Sequence, residues 1–137
     1  MSSTISHHQA LIYVMVTMAA VDREISDSEL SRIGQIVTNL PVFADFDEER
    51  LVHVARECGD ILSDDDGLNT VLALIADCLP DKLHETAYAL GVEVAAVDLS
   101  VEQEELRFLQ LLRDRLKLDK LTIAAIERGA RARHQVL

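Results

Sequence analysis

Glycine and proline are scarce in this chain of 137 residues, which has five of one and two of the other. That scarcity excludes flexible linkers, low-complexity tracts and a turn-rich β architecture. Tryptophan is absent, and Phe43, Phe46, Phe108, Tyr13 and Tyr88 are the whole aromatic complement. Little surface is left on which nucleic-acid bases could stack. Basic residues are also in the minority. Thirteen Lys and Arg face 24 Asp and Glu, a net charge of −11. A surface of that sign repels nucleic-acid phosphate and anionic lipid, so neither is expected as a partner. The apolar run from Ala10 to Val21 is about twelve residues where a bilayer needs about 20, so it predicts a buried helix and no membrane insertion. The basic start and small-residue cleavage site of a secretory signal are missing from the first twenty residues. Cys58 and Cys78 are the only cysteines. Each falls at an apolar helical position, which reads as core packing in a reducing compartment rather than a disulfide or a thiol nucleophile. The expected location is the cytoplasm.

What the chain does have is helical periodicity, nearly everywhere. The segment from about Ile5 to Val21 is apolar almost all round, which predicts a helix at the centre of the fold. Ser26 and Glu29 have the capping-box spacing and open a second helix with Leu30, Ile33, Ile36, Val37 and Leu40 inward. Pro41 stops it. Asp45 and Glu48 repeat that spacing before a third helix, whose stripe is Leu51, Val54, Ala55, Cys58, Ile61 and Leu62. A fourth helix carries Leu68, Val71, Leu72, Ile75 and Leu79, and Pro80 suits the first turn of a fifth. The fifth buries Leu83, Ala87, Leu90, Gly91, Val94 and Ala95, small enough for close helix approach. Leu106, Leu109, Leu112 and Leu116 mark a sixth, and Asp119 caps a seventh with Leu121, Ala124 and Ala125 inward. No stretch alternates as a strand does. The expected fold is all-α, one domain over residues 1–137 built as a compact bundle of about seven helices.

Charge is distributed unevenly along this framework. Residues 1–105 carry 5 basic and 21 acidic side chains, whereas residues 106–137 carry 8 basic and 3 acidic. The acidic majority attracts cations. The basic end, with Arg113, Arg115, Lys117, Lys120, Arg128, Arg131 and Arg133, suits helix C-termini through the macrodipole and could also dock an acidic partner.

A repeat runs through the chain at an offset of 76. Ala19-Ala20-Val21-Asp22 recurs as Ala95-Ala96-Val97-Asp98, and seven residues after each Asp stands a Glu-Leu pair, Glu29-Leu30 and Glu105-Leu106. Ile25 aligns with Val101, and Ile33 with Leu109. Two related helical hairpins of this kind usually pack about a pseudo-twofold axis, which could bring the two Asp/Glu turns together at one end of the bundle. Asp22, Glu29, Asp98 and Glu105 are then candidate ligands for a hard divalent cation, with turn carbonyls or water completing the shell. The same residues also have a structural reading as caps and helix terminators. Glu29 is accounted for by the Ser26 box. Glu105 lies five residues beyond the candidate cap Ser100, whose box partner would be Gln103. Neither half is an EF-hand, because its Asp-to-Glu spacing is seven residues where that loop needs about eleven.

The motif Asp22-x-x-Ile25-x-x-x-Glu29, with its copy Asp98-x-x-Val101-x-x-x-Glu105, resembles the duplicated signature of the TerB family, the tellurite-resistance B-like helical domain. The resemblance covers nearly the whole chain in length, helix count and charge segregation. It implies a seven-helix domain, an acidic metal-binding role, a link to tellurite and other stress responses, and membrane-associated complexes with partner proteins. One departure is plain: the glycine expected after each Asp is Arg23 in the first half and Leu99 in the second. Glycine reaches left-handed turn conformations that arginine and leucine reach only with strain, so the turns differ in shape, and Arg23 sets a cation beside the first.

Other chemistry finds little support. Asp64-Asp65-Asp66-Gly67 lacks the alternating ligand spacing of a calcium loop and reads as a solvated connection. His7 and His8 fall near a frayed start, His53 and His84 near helix surfaces without an i, i+4 partner, and His134 in the basic tail. None forms an HExxH or a Cys-His cluster, so calcium or magnesium is expected ahead of zinc. There is no phosphate-binding Gly-rich loop and no nucleophile elbow, and no organic cofactor is expected. The reading is a non-enzymatic TerB-like protein of tellurite or stress resistance that binds a divalent cation and a protein partner. The alternative is a metal-independent adaptor using its acidic face or basic tail. Paired carboxylates favour the first, and the missing glycines favour the second.

Overall fold

The computed structural model describes residues 4–20, 25–97 and 103–137. Seven α-helices follow in chain order among them: α1 (His7–Ala20), α2 (Asp27–Asn39), α3 (Leu51–Leu62), α4 (Gly67–Cys78), α5 (His84–Val97), α6 (Gln103–Arg115) and α7 (Lys120–Arg133). Short 3-10 turns occupy Pro41–Phe43, Glu48–Arg50 and Asp81–Leu83. No strand occurs among the described residues, and no helix there is long and apolar enough to cross a membrane.

The fully apolar first helix becomes the hub. Leu11, Ile12, Val14, Met15, Val16 and Met18 are all buried, on every side of α1. Burying one such side chain contributes about 1.5–3 kcal/mol relative to leaving it in water, which makes α1 the chief hydrophobic anchor. It packs against α2, α3, α4 and α5. At Gly91 of α5 the absence of a side chain lets α1 pack close. A Cβ on Gly91 would lie 3.3 Å from Val14 Cγ1 and 3.3 Å from Leu109 Cδ2.

The repeat is structural as well as sequential. Adding 76 to α2 gives the bounds of α6, and adding 76 to α1 gives those of α5 less one residue. As α1 packs on α2 and α3, so α5 packs on α6 and α7, and α1 and α5 face each other across the middle. The halves differ after the second helix. Between α2 and α3 the chain forms two 3-10 turns, whereas α6 passes to α7 directly.

Local signals explain most boundaries. Ser26 caps α2 with a complete capping box to Glu29, and Asp119 accepts the Thr122 N–H at 2.7 Å to open α7. Four expectations are corrected. Asp45 and Glu48 do not form a capping box: Asp47 caps the 3-10 turn by accepting from the Glu49 N–H at 3.0 Å, and α3 begins only at Leu51. The segment is folded tightly because Phe43 is buried and Phe46 packs beside it. Leu106 is 48% exposed, and Phe108 takes the core position on α6. On α7 the inward stripe is Ile123, Ile126 and Ala130, while Leu121 is 80% exposed and Ala124 and Ala125 face solvent. Both registers have helical spacing, and the one that buries two isoleucines removes more apolar area from water. Pro80 precedes the 3-10 turn at Asp81–Leu83 instead of entering α5 itself.

Candidate metal centres and the basic end

Of the four acidic candidates, Glu29 and Glu105 are described, and Asp22 and Asp98 lie outside the described residues. The two glutamates hold equivalent places, each the third residue of its helix, α2 or α6, and each half-buried. Glu29 Oε1 accepts from the Ser26 N–H at 3.0 Å and from Ser26 Oγ at 2.9 Å, while the Glu29 N–H donates to Ser26 Oγ at 3.2 Å. Its capping role is therefore realised. The Asp64–Gly67 segment is an exposed connection in which Asp66 Oδ1 accepts from Asn69 Nδ2 at 2.8 Å. Gly67 itself is buried, because a Cβ there would sit 2.1 Å from the Ile61 carbonyl oxygen.

The histidines depart most from the sequence reading. His8 is not at a frayed start. Its side chain is 11% exposed, and Nε2 lies 2.9 Å from the Val42 carbonyl oxygen and 3.1 Å from Asp45 Oδ1. Both neighbours are acceptors, so Nε2 carries the proton and donates. His84 is not at a surface either, at 3% exposed. Its Nδ1 accepts the Lys117 N–H at 3.0 Å, which leaves Nε2–H to donate to the Leu79 carbonyl at 3.1 Å. It thereby ties the ends of α4 and α6 together. His8 and His84 are themselves separated by 76 residues, a match that the sequence displayed and that charge and AAV motifs overshadowed. His53, by contrast, is solvated, with Glu57 one turn on at 3.8 Å.

Among the described residues, one group of His, Cys, Asp or Glu side chains is close enough to share an ion. It is His7, His8 and Asp45, whose donor atoms all lie within 4.8 Å of one another. The His7 and His8 rings are 4.1 Å apart between centroids, tilted by 43°.

Cys58 behaves as a core residue. It is fully buried, its Sγ is 3.6 Å from Thr17 Oγ1, and burial pushes the thiol up to about 12 although the Thr17 contact opposes that. A thiol so seldom ionised is a poor nucleophile and metal ligand.

At the basic end, several cations are used internally. Arg113 lies 3.5 Å from Glu127 Oε2, Lys117 lies 3.2 Å from Asp81, and Arg133 pairs with Glu93. Tyr88, buried on α5, donates to Glu127 at 2.5 Å, and burial followed by that bond and the carboxylate charge raises its phenol. Glu93 receives both Arg133 and His134. Burial alone would raise its carboxyl, but these hydrogen bonds and charges lower it overall. Arg115, Lys120, Arg128 and Arg131 are exposed and make no ion pair among the described residues. The cationic surface is therefore smaller than the residue count suggested.

No curated protein and no solved structure matches the chain significantly. The family model described as tellurite resistance protein TerB matches residues 8–128, a span that runs from the second residue of α1 well into α7. With its duplicated Asp/Glu motif and the seven helices among its described residues, the chain belongs to the TerB family.

Proposed function

We propose that this TerB-family chain is a non-enzymatic module of the cytoplasm. It binds a hard divalent cation, calcium or magnesium, through Asp22, Glu29, Asp98 and Glu105, and it presents a protein-docking surface that this ion stabilises. The observation that carries the reading is the equivalence of the two halves: Glu29 and Glu105 occupy the same position of α2 and α6, and the helices that precede them, α1 and α5, pack directly on each other. Four carboxylates facing one ion neutralise charge that would otherwise be self-repelling in a chain of net −11. Glu29 also orders the first turn of α2 through Ser26, so ion binding there acts on the helix start as well as on the turn. The docking partner is a protein, one in a membrane-associated complex, and the exposed Arg115, Lys120, Arg128 and Arg131 suit an acidic surface on it. The two free thiols agree with a reducing location.

Thermal unfolding of metal-stripped protein in calcium, magnesium, manganese and zinc tests this reading. A ligand that binds only the folded state at about 100 times its Kd adds about 2.7 kcal/mol. A calcium or magnesium shift that disappears in Asp22→Asn and Asp98→Asn is expected. No shift with calcium, magnesium or manganese at millimolar concentration would leave the metal-independent adaptor, to be pursued by pull-down with the stripped protein.

A further inference from the structure

We propose that His7, His8 and Asp45 form a second and chemically different metal site, one for a single divalent first-row transition ion such as zinc, cobalt or nickel. Two tight folding events assemble it. The first turn of α1 presents two adjacent imidazoles, and the turn after the buried Phe43 swings Asp45 over them. The Phe43 and Phe46 rings lie 5.7 and 5.3 Å from the His8 ring, so His8 is held in place by packing. Asp45, with 79% of its side chain exposed, is free to adjust.

The donor set selects the metal. Two imidazole nitrogens with one carboxylate suit zinc, cobalt, nickel or copper, whereas calcium and magnesium want oxygen alone. Ligands of a tetrahedral zinc ion, each about 2.0–2.2 Å from it, stand roughly 3.4 Å apart. The three donors here are already within 4.8 Å of one another, so rotation of Asp45 and His7 closes the difference. His8 Nε2 now shares its proton between the Val42 carbonyl and Asp45. An entering ion takes that proton's place: the nitrogen–hydrogen bond breaks, a nitrogen–metal bond forms, and the proton leaves to solvent. Water or the Val42 carbonyl then completes the shell.

The internal repeat supplies a contrast. His84 occupies the place of His8 in the second half, but the neighbour equivalent to His7 is Leu83. Both ring nitrogens of His84 are engaged with backbone. An imidazole at this position thus serves the fold in both halves, and only the first half adds a second imidazole within reach. That second ring makes no hydrogen bond among the described residues.

Titration of untagged, metal-stripped full-length protein with zinc, and with cobalt as a spectroscopic probe, tests the site. One tight equivalent is expected, with the visible absorption of nitrogen-ligated, low-coordinate cobalt. His7→Ala and Asp45→Asn change residues outside the core and should each lower zinc affinity by more than the roughly 10–100-fold typical of a merely supporting residue. Circular dichroism verifies that both variants remain folded. Glu29→Gln and Glu105→Gln should leave this binding intact, which separates it from the acidic turns. The proposal is overturned by the absence of zinc and cobalt binding, by binding that survives both His7→Ala and Asp45→Asn, or by binding lost only in the glutamate variants.

Discussion

Replacing His84 by alanine removes a bridge that no neighbouring group replaces. The ring accepts from the Lys117 N–H at 3.0 Å and donates to the Leu79 carbonyl at 3.1 Å, with 3% of the residue exposed. Each is a backbone group at a helix end, where the helix itself supplies no partner. Leaving one buried polar group unsatisfied costs about 1–3 kcal/mol. Water entering the vacated space offsets part of two such losses, so His84→Ala should cost about 2–4 kcal/mol. Folded domains have only about 5–15 kcal/mol in total, so the loss is large. Urea unfolding followed by circular dichroism at pH 7 gives the number, and an unchanged m-value shows that the midpoint shift reports stability. His53→Ala is the companion: its ring is solvated and its Glu57 contact is 3.8 Å, so a change within about 0.5 kcal/mol is expected. If His84→Ala unfolds within that same margin of the wild type, the bridging role is refuted.

Three further substitutions test other readings. Gly67→Ala places a Cβ 2.1 Å from the Ile61 oxygen and 2.7 Å from Leu62 Cα. Backbone cannot yield cheaply there, and a loss of about 2 kcal/mol or more is expected in urea melts. At Gly59, within α3, nothing lies within 4 Å of the added atom, so alanine should stabilise by about 0.5–1 kcal/mol. Glu93 gives a pH signature. Its folded carboxyl titrates below the ordinary value of 4.5, so its stabilising contribution is present above that pH and is lost as pH falls through the lower folded value. Melting temperatures from pH 6 to pH 3 should therefore fall more steeply for wild type than for Glu93→Gln. Parallel curves would refute the sign.

The helices were legible because burial follows period. The Leu30, Ile33, Ile36, Val37 and Leu40 stripe and the Val71, Leu72, Ile75 and Leu79 stripe turn inward as read. The Ser26 and Asp119 caps form as their spacing indicates. Where two registers competed, sequence alone was ambiguous. On α7, Leu121 with two alanines looked as apolar as Ile123 with Ile126, and only packing against α5 chose between them. The segment before α3 misled because Asp45 and Glu48 keep a capping-box spacing while the burial of Phe43 folds the chain there into 3-10 turns.

The sequence by itself determined the all-α class, the duplicated halves and the equivalence of Glu29 with Glu105, because these are matters of period and offset, which are properties of order along the chain. Which side chains meet across that order was decided by tertiary structure. His8 and Asp45 are 37 residues apart and His84 and Lys117 are 33 apart, and no local pattern links either pair. They meet because α1 and α5, too apolar to face water, are driven to the centre, and their first turns carry the two histidines inward with them.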